Sequence, residues 1–335
     1  MSSVNARPAD AEAAKGRPAL SSWAFAFLLP LLIVVMEIGF WMVQPQVLSL
    51  RNIANVLDQS SYLLVFASAQ MVVILTRGFD LSLGTTVSAV SVASSLVMTG
   101  LAGSLPMWLV LALGIGVGLG FGALVGLFNG IFVSWLEINP FVVTLGSLNI
   151  CLGIATTISG GSPVFNVPLP FSTILSTGSV FGIRVTILLA VALCAALYFV
   201  LNGTVFGRSL YLIGSNPRAA RLAGLPSKRF LTIAYVVCSM LAAFGALMMT
   251  ARTGSGEPSL GGSLMIESIA AAVIGGVSLQ GGSGGVPQVV LGAVFVTTLS
   301  NGMDLLQVSG YVQQIILGCV IVAAIFVDRV RLTRT

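Results

Sequence analysis

Charged side chains are scarce in this sequence. Its 335 residues include 15 Lys or Arg and 10 Asp or Glu, so 7% of the chain is charged and 56% is hydrophobic. Soluble proteins carry about 25% charged residues, and so few charges cannot cover a water-facing surface of this size. The composition therefore excludes a disordered chain, a disulfide scaffold and a nucleic-acid-binding domain, and it indicates a polytopic membrane protein.

Histidine is absent, and cysteine is rare. Without histidine the chain has no histidine-based triad, general base or metal ligand. The cysteines are isolated within apolar runs and form no C-x-x-C pair, so we predict buried, unreactive thiols and no metal site. They are Cys151, Cys194, Cys238 and Cys319.

Apolar runs recur along the chain at lengths suited to a bilayer, which a helix crosses with about 20 residues. They predict an all-α fold of about ten transmembrane helices. Two runs, 60–76 and 263–279, are short, so we expect broken or re-entrant chain at the glycine-rich joints beside them. The predicted spans are 22–44, 60–76, 83–101, 107–134, 141–159, 182–202, 231–251, 263–279, 286–306 and 310–328.

The basic residues predict the orientation of these spans. With both termini in the cytoplasm of a bacterium and the spans in its inner membrane, twelve of the 15 Lys and Arg residues lie inside, and only Arg51, Arg184 and Arg252 lie outside. The net charge of +5 is then a topology signal that requires no nucleic-acid partner. The predicted regions are a cytoplasmic tail at 1–21, a permease domain at 22–328 with a cytoplasmic loop at 203–230, and a cytoplasmic tail at 329–335.

Two short motifs recur in the second half of the chain. Leu-x-Asn-Gly at 127–130 returns at 299–302, an offset of 172, and Ser-Leu-Gly at 82–84 returns at 259–261, an offset of 177. Corresponding helices would lie five spans apart and therefore run in opposite directions. This arithmetic predicts an inverted repeat, which in transporters places the solute pathway at the repeat interface.

The glycines predict close packing rather than a nucleotide site. Along the span 107–134 a glycine occurs at every fourth position from Gly114 to Gly130, which forms one stripe on a helix. The glycine-rich run at 281–285 lacks the Gly-Lys-Ser/Thr of a phosphate-binding loop, so we interpret it as a tight turn. The chain is therefore predicted to have no ATP site of its own.

Ionisable residues at the spans are few, and no span carries the array expected of a proton relay. Asp80 follows Arg77 by three residues, and we expect a short interfacial ion pair between them. Structural or helix-end roles are predicted for the other carboxylates, which are Glu37, Glu267 and Asp304.

Neutral amides are more numerous within the predicted spans. Amides can hydrogen-bond a polyhydroxylated solute without demanding charge, and they can equally bond one helix to another; both interpretations stay open. Phe141 can supply an apolar constriction or plain packing. The candidate pathway residues are Gln70, Asn129, Phe141, Asn149, Asn301 and Gln313.

The loop at 203–230, hereafter the coupling loop, carries five of the twelve inside charges. Asn216 suits a helix N-cap, Pro217 the first helical position and Gly224 the end of the helix. These signals predict a short helix at 217–223. A solvated loop has no need of such definite start and stop signals, so we interpret it as a docking helix for a cytoplasmic partner.

This segment resembles the coupling loop of ABC importer permeases, whose motif is Ala-Ala-x-x-x-Gly. The match runs from Ala219 to Gly224, although Arg218 replaces the glutamate of many members. Further stretches resemble the ribose-type, monosaccharide branch of these permeases, from about residue 50 to the C-terminus. They are Gly-Phe-Asp-Leu-Ser-Leu-Gly at 78–84, Asn-Gly at 129–130, Asn-Pro-Phe-Val-Val-Thr-Leu-Gly at 139–146 and Ala-Ala-Ala-Val-Ile-Gly-Gly at 270–276.

The resemblance implies a permease subunit that works as a homo- or heterodimer in the lipid membrane. It would bind two separate cytoplasmic ATPase subunits, which hold the ATP and Mg, and receive sugar from an extracytoplasmic binding protein. It implies no cofactor and no catalytic residue on this chain. The implied contacts with the ATPase are made by Asn216, Arg218, Ala219, Ala220, Gly224 and Leu225.

Three alternatives remain open. The same machine could carry a branched-chain amino acid or a nucleoside, although charged or aromatic recognition groups are not obvious in the spans. An ion-coupled secondary transporter explains the repeat but not the docking helix. An intramembrane enzyme would need a carboxylate pair or a serine–lysine dyad, and both lysines, Lys15 and Lys228, lie outside the predicted spans.

Overall fold

A computed structural model describes the backbone of residues 20–333 and the side chains of residues 28–326, so the predicted tails at 1–21 and 329–335 lie largely outside the described residues. Thirteen α-helices make up most of this part of the chain. They are α1 (Leu20–Val43), α2 (Leu50–Ile74), α3 (Leu83–Leu101), α4 (Met107–Ser134), α5 (Pro140–Ser159), α6 (Leu169–Ser172), α7 (Val185–Gly203), α8 (Val205–Ser215), α9 (Pro217–Leu222), α10 (Ser227–Thr253), α11 (Leu264–Gly275), α12 (Val286–Leu305) and α13 (Gly310–Thr333).

The helices confirm the predicted all-α membrane fold. Ten of the helices described, α1 to α5, α7 and α10 to α13, coincide with the ten predicted spans, and α3 and α4 agree residue for residue. Among the residues whose side chains are described, seven of these helices are long and apolar enough to cross a membrane, and α11 is shorter with 12 residues. The connection between α5 and α7 adds a small antiparallel hairpin of β1 (Ser179–Val180) and β2 (Ile183–Arg184).

The prediction of a short second span is wrong, because α2 has 25 residues. Its first turns contain the polar residues Asn52 and Asp58, whose side chains are bonded to Asn301 and Arg184 elsewhere in the fold. Hydropathy alone therefore understates the length of this helix. The short eighth span is confirmed, because α11 has only 12 residues.

The glycine stripe of α4 packs against α10, as predicted. A Cβ atom on Gly122 would lie 2.5 Å from the Cβ of Ala243, and one on Gly126 would lie 2.6 Å from the backbone of Tyr235. Because glycine has no side chain, the backbone of α4 can pack directly against α10. All five of its glycines are buried.

The connections between helices gather at two ends of the bundle. At one end, the Gly282 amide donates to the Leu75 carbonyl over 2.9 Å, and Lys228 pairs with Glu137. We call this the coupling-loop end, because α8 and α9 lie there. At the opposite end, Val164 and Gly256 exchange backbone hydrogen bonds of 2.8 Å. The bundle core lies between, around α2 and α10, which pack against each other.

Helices in the two halves of the chain have corresponding neighbours. Helix α3 packs against α4 and α5, and α11 packs against α12 and α13. Helix α10 lies against α3 and α4, while α2 lies against α11 and α12. Helix α2, in the first half of the chain, therefore packs against helices of the second half in the same way that α10, in the second half, packs against helices of the first.

Three of the four cysteines are buried as predicted, but Cys319 is exposed. Helix α13 packs on the bundle along one face only, and Cys319 lies on its free face. An apolar run in the sequence does not distinguish a face that meets protein from one that meets lipid, which explains the error.

Candidate coupling site and solute pathway

The docking helix α9 has the ends that the sequence predicts. The Asn216 side chain accepts a 3.0 Å hydrogen bond from the Ala219 amide, and Pro217 occupies the first helical position. Gly224 has a φ of +72°, the left-handed conformation that glycine adopts at a helix end. The helix is one residue shorter than predicted, because Ala223 already serves as its C-cap.

The surface of α9 combines positive charge with one apolar side chain. Arg218 and Arg221 are exposed, whereas Ala220 is buried against the rest of the protein. Leu222 is 90% exposed, so the helix presents a leucine to its surroundings at the docking position. Sequence reasoning missed Leu222, although its place between Arg221 and Gly224 already put it on the predicted helix.

Helix α8 leads directly into α9, and Arg77 holds the joint between them. The Arg77 Nε donates to the Gly214 carbonyl, and one of its terminal nitrogens donates to the Ser215 carbonyl over 2.7 Å. The expected ion pair between Arg77 and Asp80 is therefore wrong. The last carbonyls of a helix lack partners within the helix and carry partial negative charge. They therefore attract the Arg77 guanidinium, which the local sequence had led us to pair with Asp80.

An ion pair also lies at the coupling-loop end. Lys228 Nζ is 3.0 Å from Glu137 Oε1, and the Lys228 ammonium also lies 6.0 Å from the centre of the Trp135 ring. The hydrogen bond and the charge of Lys228 lower the pKa of Glu137. Both side chains are well exposed, so this pair contributes little to stability.

Asp80 is fully buried, inside a hydrogen-bonded network. One carboxylate oxygen accepts bonds from the Ser82 amide and hydroxyl, and the other accepts from Ser239 over 3.5 Å and Cys238 over 3.8 Å. Ser82 also accepts a 3.0 Å bond from the Asn129 amide. The connection 75–82 is thereby fastened to α10 and α4 inside the bundle.

Connections from the two ends meet in the interior. A Cβ atom on either Gly84 or Gly261 would overlap the backbone of the other, and the Gly261 amide donates to Ser88 Oγ over 3.0 Å. Gly84 is the second residue of α3, which begins at the coupling-loop end, and Gly261 precedes α11 from the opposite end. Both glycine-rich joints thus enter the bundle, as the sequence predicted.

The opposite end contains a cavity of about 150 Å³ between α2, α10, α11 and α12, lined by both apolar and polar side chains. The Arg252 guanidinium lies 5.1 Å from the centre of the Tyr62 ring, and the Tyr62 hydroxyl is 3.1 Å from Ser176 Oγ. Glu267 lies in the first turn of α11, the predicted helix-end position, and it also lines this cavity. The remaining polar lining comes from Gln59, Thr297 and Ser300.

An ion pair between one buried and one half-exposed side chain lies beside this cavity. Asp58 is almost fully buried and pairs with Arg184 over 2.7 Å, and Thr186 donates to its other oxygen. Sequence reasoning missed this pair because it began the second span after Asp58. The available signal was that Asp58 and Arg184 both fall on the predicted outer side of the membrane.

Two of the candidate pathway residues join separate segments of the chain through hydrogen bonds. Asn301 exchanges hydrogen bonds of 2.8 and 3.1 Å with Asn52, joining α12 to α2, and Asn129 bonds to Ser82. Gln70 is fully buried in α2, and neither atom of its amide group has a hydrogen-bond partner.

Three candidate residues lie nearer the surface. Phe141 is half exposed on α5, and the Asn149 amide on the same helix bonds to the Leu145 carbonyl. Gln313 bonds to Asp304 over 2.7 Å at the end of α12. A role of any of these six residues in solute passage remains a prediction.

Among the residues described, no three His, Cys, Asp or Glu side chains are grouped as a metal ion would require. The described residues form an exposed, capped helix at one end, a buried hydrogen-bonded connection in the interior and a cavity at the other end.

Sequence comparisons identify the family. The profile of the family described as "Branched-chain amino acid transport system / permease component" matches residues 52–325. The chain belongs to this family of transport permeases.

Several curated relatives are permeases named for sugar import. The chain is 32% identical to the galactose/methyl galactoside import permease protein MglC of Salmonella typhimurium, over 87% of this chain and 90% of that protein. It is 32% identical to the ribose import permease protein RbsC of Haemophilus influenzae, over 88% of each chain. It is 30% identical to the D-allose transport system permease protein AlsC of Escherichia coli, over 84% and 85%. These relatives confirm the resemblance to ribose-type permeases. No solved structure is significantly similar to the chain.

Proposed function

We propose that this chain imports a monosaccharide or a similar polyhydroxylated solute, driven by ATP hydrolysis on separate cytoplasmic subunits that hold ATP and Mg. The docking helix α9 carries this proposal. Its capped ends, exposed arginines and 90% exposed Leu222 form a surface suited to a protein partner. A second permease chain, identical or related, and an extracytoplasmic binding protein complete the importer.

The distribution of charge supports an orientation with both termini in the cytoplasm. Six described basic residues lie at the coupling-loop end, and Arg51, Arg184 and Arg252 lie at the opposite end. Positive charge accumulates on the cytoplasmic side of membrane proteins. The coupling-loop end would therefore face the cytoplasmic ATPase, and the opposite end, with its cavity, would face the outside of the cell.

The packing supports an inverted repeat. The recurring Ser-Leu-Gly motifs at 82–84 and 259–261 meet through Gly84 and Gly261, as expected for two equivalent segments beside a two-fold axis. Helices α3 and α11 also have corresponding neighbours in the two halves. Motion of the docked α9 would then rock one half against the other and switch access between the two sides.

A sugar is favoured as the cargo by the names of the relatives and by the chemistry of the interior. The relatives are permeases for galactose, ribose and D-allose. The buried polar groups of this chain are mainly hydroxyls and amides, which bond a neutral polyol without requiring charge. The family description names branched-chain amino acids instead, so leucine is the second candidate.

The cargo is tested in vesicles containing this chain, the ATPase and the binding protein encoded beside it. We expect ATP-dependent uptake of at least one of D-ribose, D-galactose and D-allose, blocked by vanadate and unaffected by a protonophore. Uptake of L-leucine alone would move the proposal to the second candidate. Uptake that collapses with the protonophore and persists in vanadate would identify a secondary transporter.

The docking helix is tested by the substitution Gly224→Leu. Because Gly224 is exposed with a φ of +72°, a bulky L-residue distorts the end of α9 without meeting other atoms. We expect uptake and ATPase stimulation to fall roughly tenfold, the scale of typical coupling between sites, with membrane insertion unchanged.

Gly103→Leu is the matched control. Gly103 also has a positive φ, +86°, and open space around it, but it lies at the opposite end. Normal uptake by Gly224→Leu, or equal loss in both variants, would contradict the docking role of α9.

A further inference from the structure

We propose that Arg77 is the positioning residue that transmits movement of the docking helix to the membrane-spanning helices. This inference rests on the proposed function, because it concerns how ATP-driven motion enters the bundle. Arg77 contacts neither the cargo nor the ATPase in this role. It acts through α8, whose last residue precedes the N-cap of α9.

The contacts of Arg77 fall at the joint itself. Its guanidinium donates to the carbonyls of Gly214 and Ser215, the last two residues of α8, directly before Asn216. Two donors of one planar group bond to two successive carbonyls, so the side chain fixes both position and orientation of the helix end. Any displacement of α9 that carries the end of α8 with it must pull on Arg77.

The backbone around Arg77 is wedged between two other elements. The Leu75 carbonyl accepts the Gly282 amide over 2.9 Å, and a Cβ atom on Gly214 would overlap that same carbonyl. The Tyr211 hydroxyl of α8 donates to the Gly284 carbonyl over 2.9 Å. The start of the connection 75–82, the end of α8 and the turn before α12 therefore form one junction with little room to slide.

Arg77 itself has a φ of +65°, a conformation that costs energy for any residue with a side chain. A glycine would satisfy this backbone without strain. The strained residue is the one whose side chain makes the two hydrogen bonds to α8. The unfavourable φ of Arg77 thus coincides with the contact that joins the connection 75–82 to α8.

The same short connection is anchored in the bundle three residues later. Asp80 accepts bonds from Ser239 of α10, and Ser82 accepts from Asn129 of α4. Gly84 then meets Gly261, which leads toward the cavity at the opposite end. A displacement of Arg77 would therefore move the connection 75–82 and, through it, act on α3, α4 and α10 together.

The test is Arg77→Gly, which removes the side chain and relieves the backbone at the same position, so the variant is expected to fold. Arg77→Lys keeps the charge but provides a single ammonium in place of the planar fork. Arg51→Gln is the control, since Arg51 is an exposed arginine at the opposite end. Uptake per ATP hydrolysed and ATPase association are measured for each in reconstituted vesicles with D-ribose, D-galactose and D-allose.

For Arg77→Gly we expect the ATPase to remain bound and hydrolysing while uptake per ATP falls about tenfold, the scale of an allosteric coupling. Arg77→Lys should recover part of the loss, and Arg51→Gln should behave as wild type. Unchanged uptake per ATP in Arg77→Gly would overturn the proposal. So would loss of ATPase binding, because Arg77 would then merely maintain the docking surface.

Limited trypsin digestion of the purified full chain provides a readout that needs neither sugar nor ATPase. Cleavage after Arg218 and Arg221 should accelerate several-fold in Arg77→Gly, because a protease needs locally unfolded chain and α9 should unfold more often once the end of α8 is released. Unchanged cleavage overturns the inference even if wild-type vesicles import no sugar. A wild type that transports nothing, combined with accelerated cleavage, refutes the proposed function instead.

Discussion

The two ends of the bundle are joined by different kinds of contact. At the coupling-loop end, backbone meets backbone: Gly214 lies against the Leu75 carbonyl, and Gly282 donates to it. At the opposite end, the buried carboxylate of Asp58 pairs with Arg184 near a cavity whose lining includes Arg252 and Glu267. Where two backbones touch, a movement of one segment moves the other directly. Side chains around a cavity can instead change their conformation without moving the helices.

This difference leads to opposite sensitivities. The stability of the coupling-loop end should depend little on the exposed Lys228–Glu137 pair but strongly on the space at Gly214, because packed interiors accommodate an extra methyl group poorly. The stability of the opposite end should depend on the charged partner of Asp58, because an unpaired buried carboxylate is costly. The following substitutions test each half of this comparison.

The largest effect is expected from Gly214→Ala. The new Cβ atom would overlap the Leu75 carbonyl, which belongs to the backbone and cannot rotate away. We expect a loss of about 3 kcal/mol in the free energy of unfolding, the upper part of the usual range for overpacking. Unfolding of the purified protein in detergent measures it.

Gly146→Ala is the control for this change. Gly146 lies within α5 with nothing near the position of its Cβ, so alanine should be neutral or slightly stabilising. Equal stability of the two variants would show that the junction is looser than its contacts imply.

A smaller effect is expected from breaking the ion pair at the opposite end. Arg184→Gln leaves Asp58 buried with Thr186 as its remaining side-chain donor. A fully buried pair would lose more, but the Arg184 side chain is 51% exposed, so we expect about 2 kcal/mol.

The double-mutant cycle with Asp58→Asn isolates the interaction from other consequences of each substitution. The double variant should cost less than the sum of the single variants. An interaction energy below about 0.3 kcal/mol, the usual limit of additivity, would mean that the opposite end does not depend on this charge pair.

The smallest effect is expected from Glu137→Gln at the coupling-loop end. Lys228 lowers the pKa of Glu137, so the pair contributes above the ordinary pKa of a glutamate. Its contribution disappears as the pH falls through the lowered pKa. Because Glu137 is exposed, we expect no measurable change in melting temperature at pH 7. A clear decrease at pH 7 that vanishes in acid would show that charge does matter at this end.

Local patterns predicted much of the fold. The bounds of α3 and α4 follow from apolar runs between loop residues, and the ends of α9 follow from the capping preference of Asn216 and the left-handed conformation of Gly224. Each of these features depends on residues within a few positions of one another. The length of α2 did not follow, because the polar side chains in its first turns have distant partners.

Partners far apart in sequence could not be predicted in the same way. Arg77 stands three residues from Asp80 but bonds to α8, which follows more than one hundred residues later. Asp80 in turn bonds to Ser239, and the Asn129 amide bonds to Ser82. A local ion pair is the simplest expectation from sequence, yet in the folded chain helix-end carbonyls and buried hydroxyls compete for the same groups.

The sequence by itself determined the class of protein, the number and bounds of most spans, and the capped ends of α9. Hydropathy and capping are properties of short segments, so both can be read from the sequence without knowledge of the fold. Only the tertiary structure decided that Arg77 holds the end of α8, that Gly84 meets Gly261, and that Asp58 pairs with Arg184. Each of these contacts joins segments more than one hundred residues apart, and it exists only once packing brings distant backbones together.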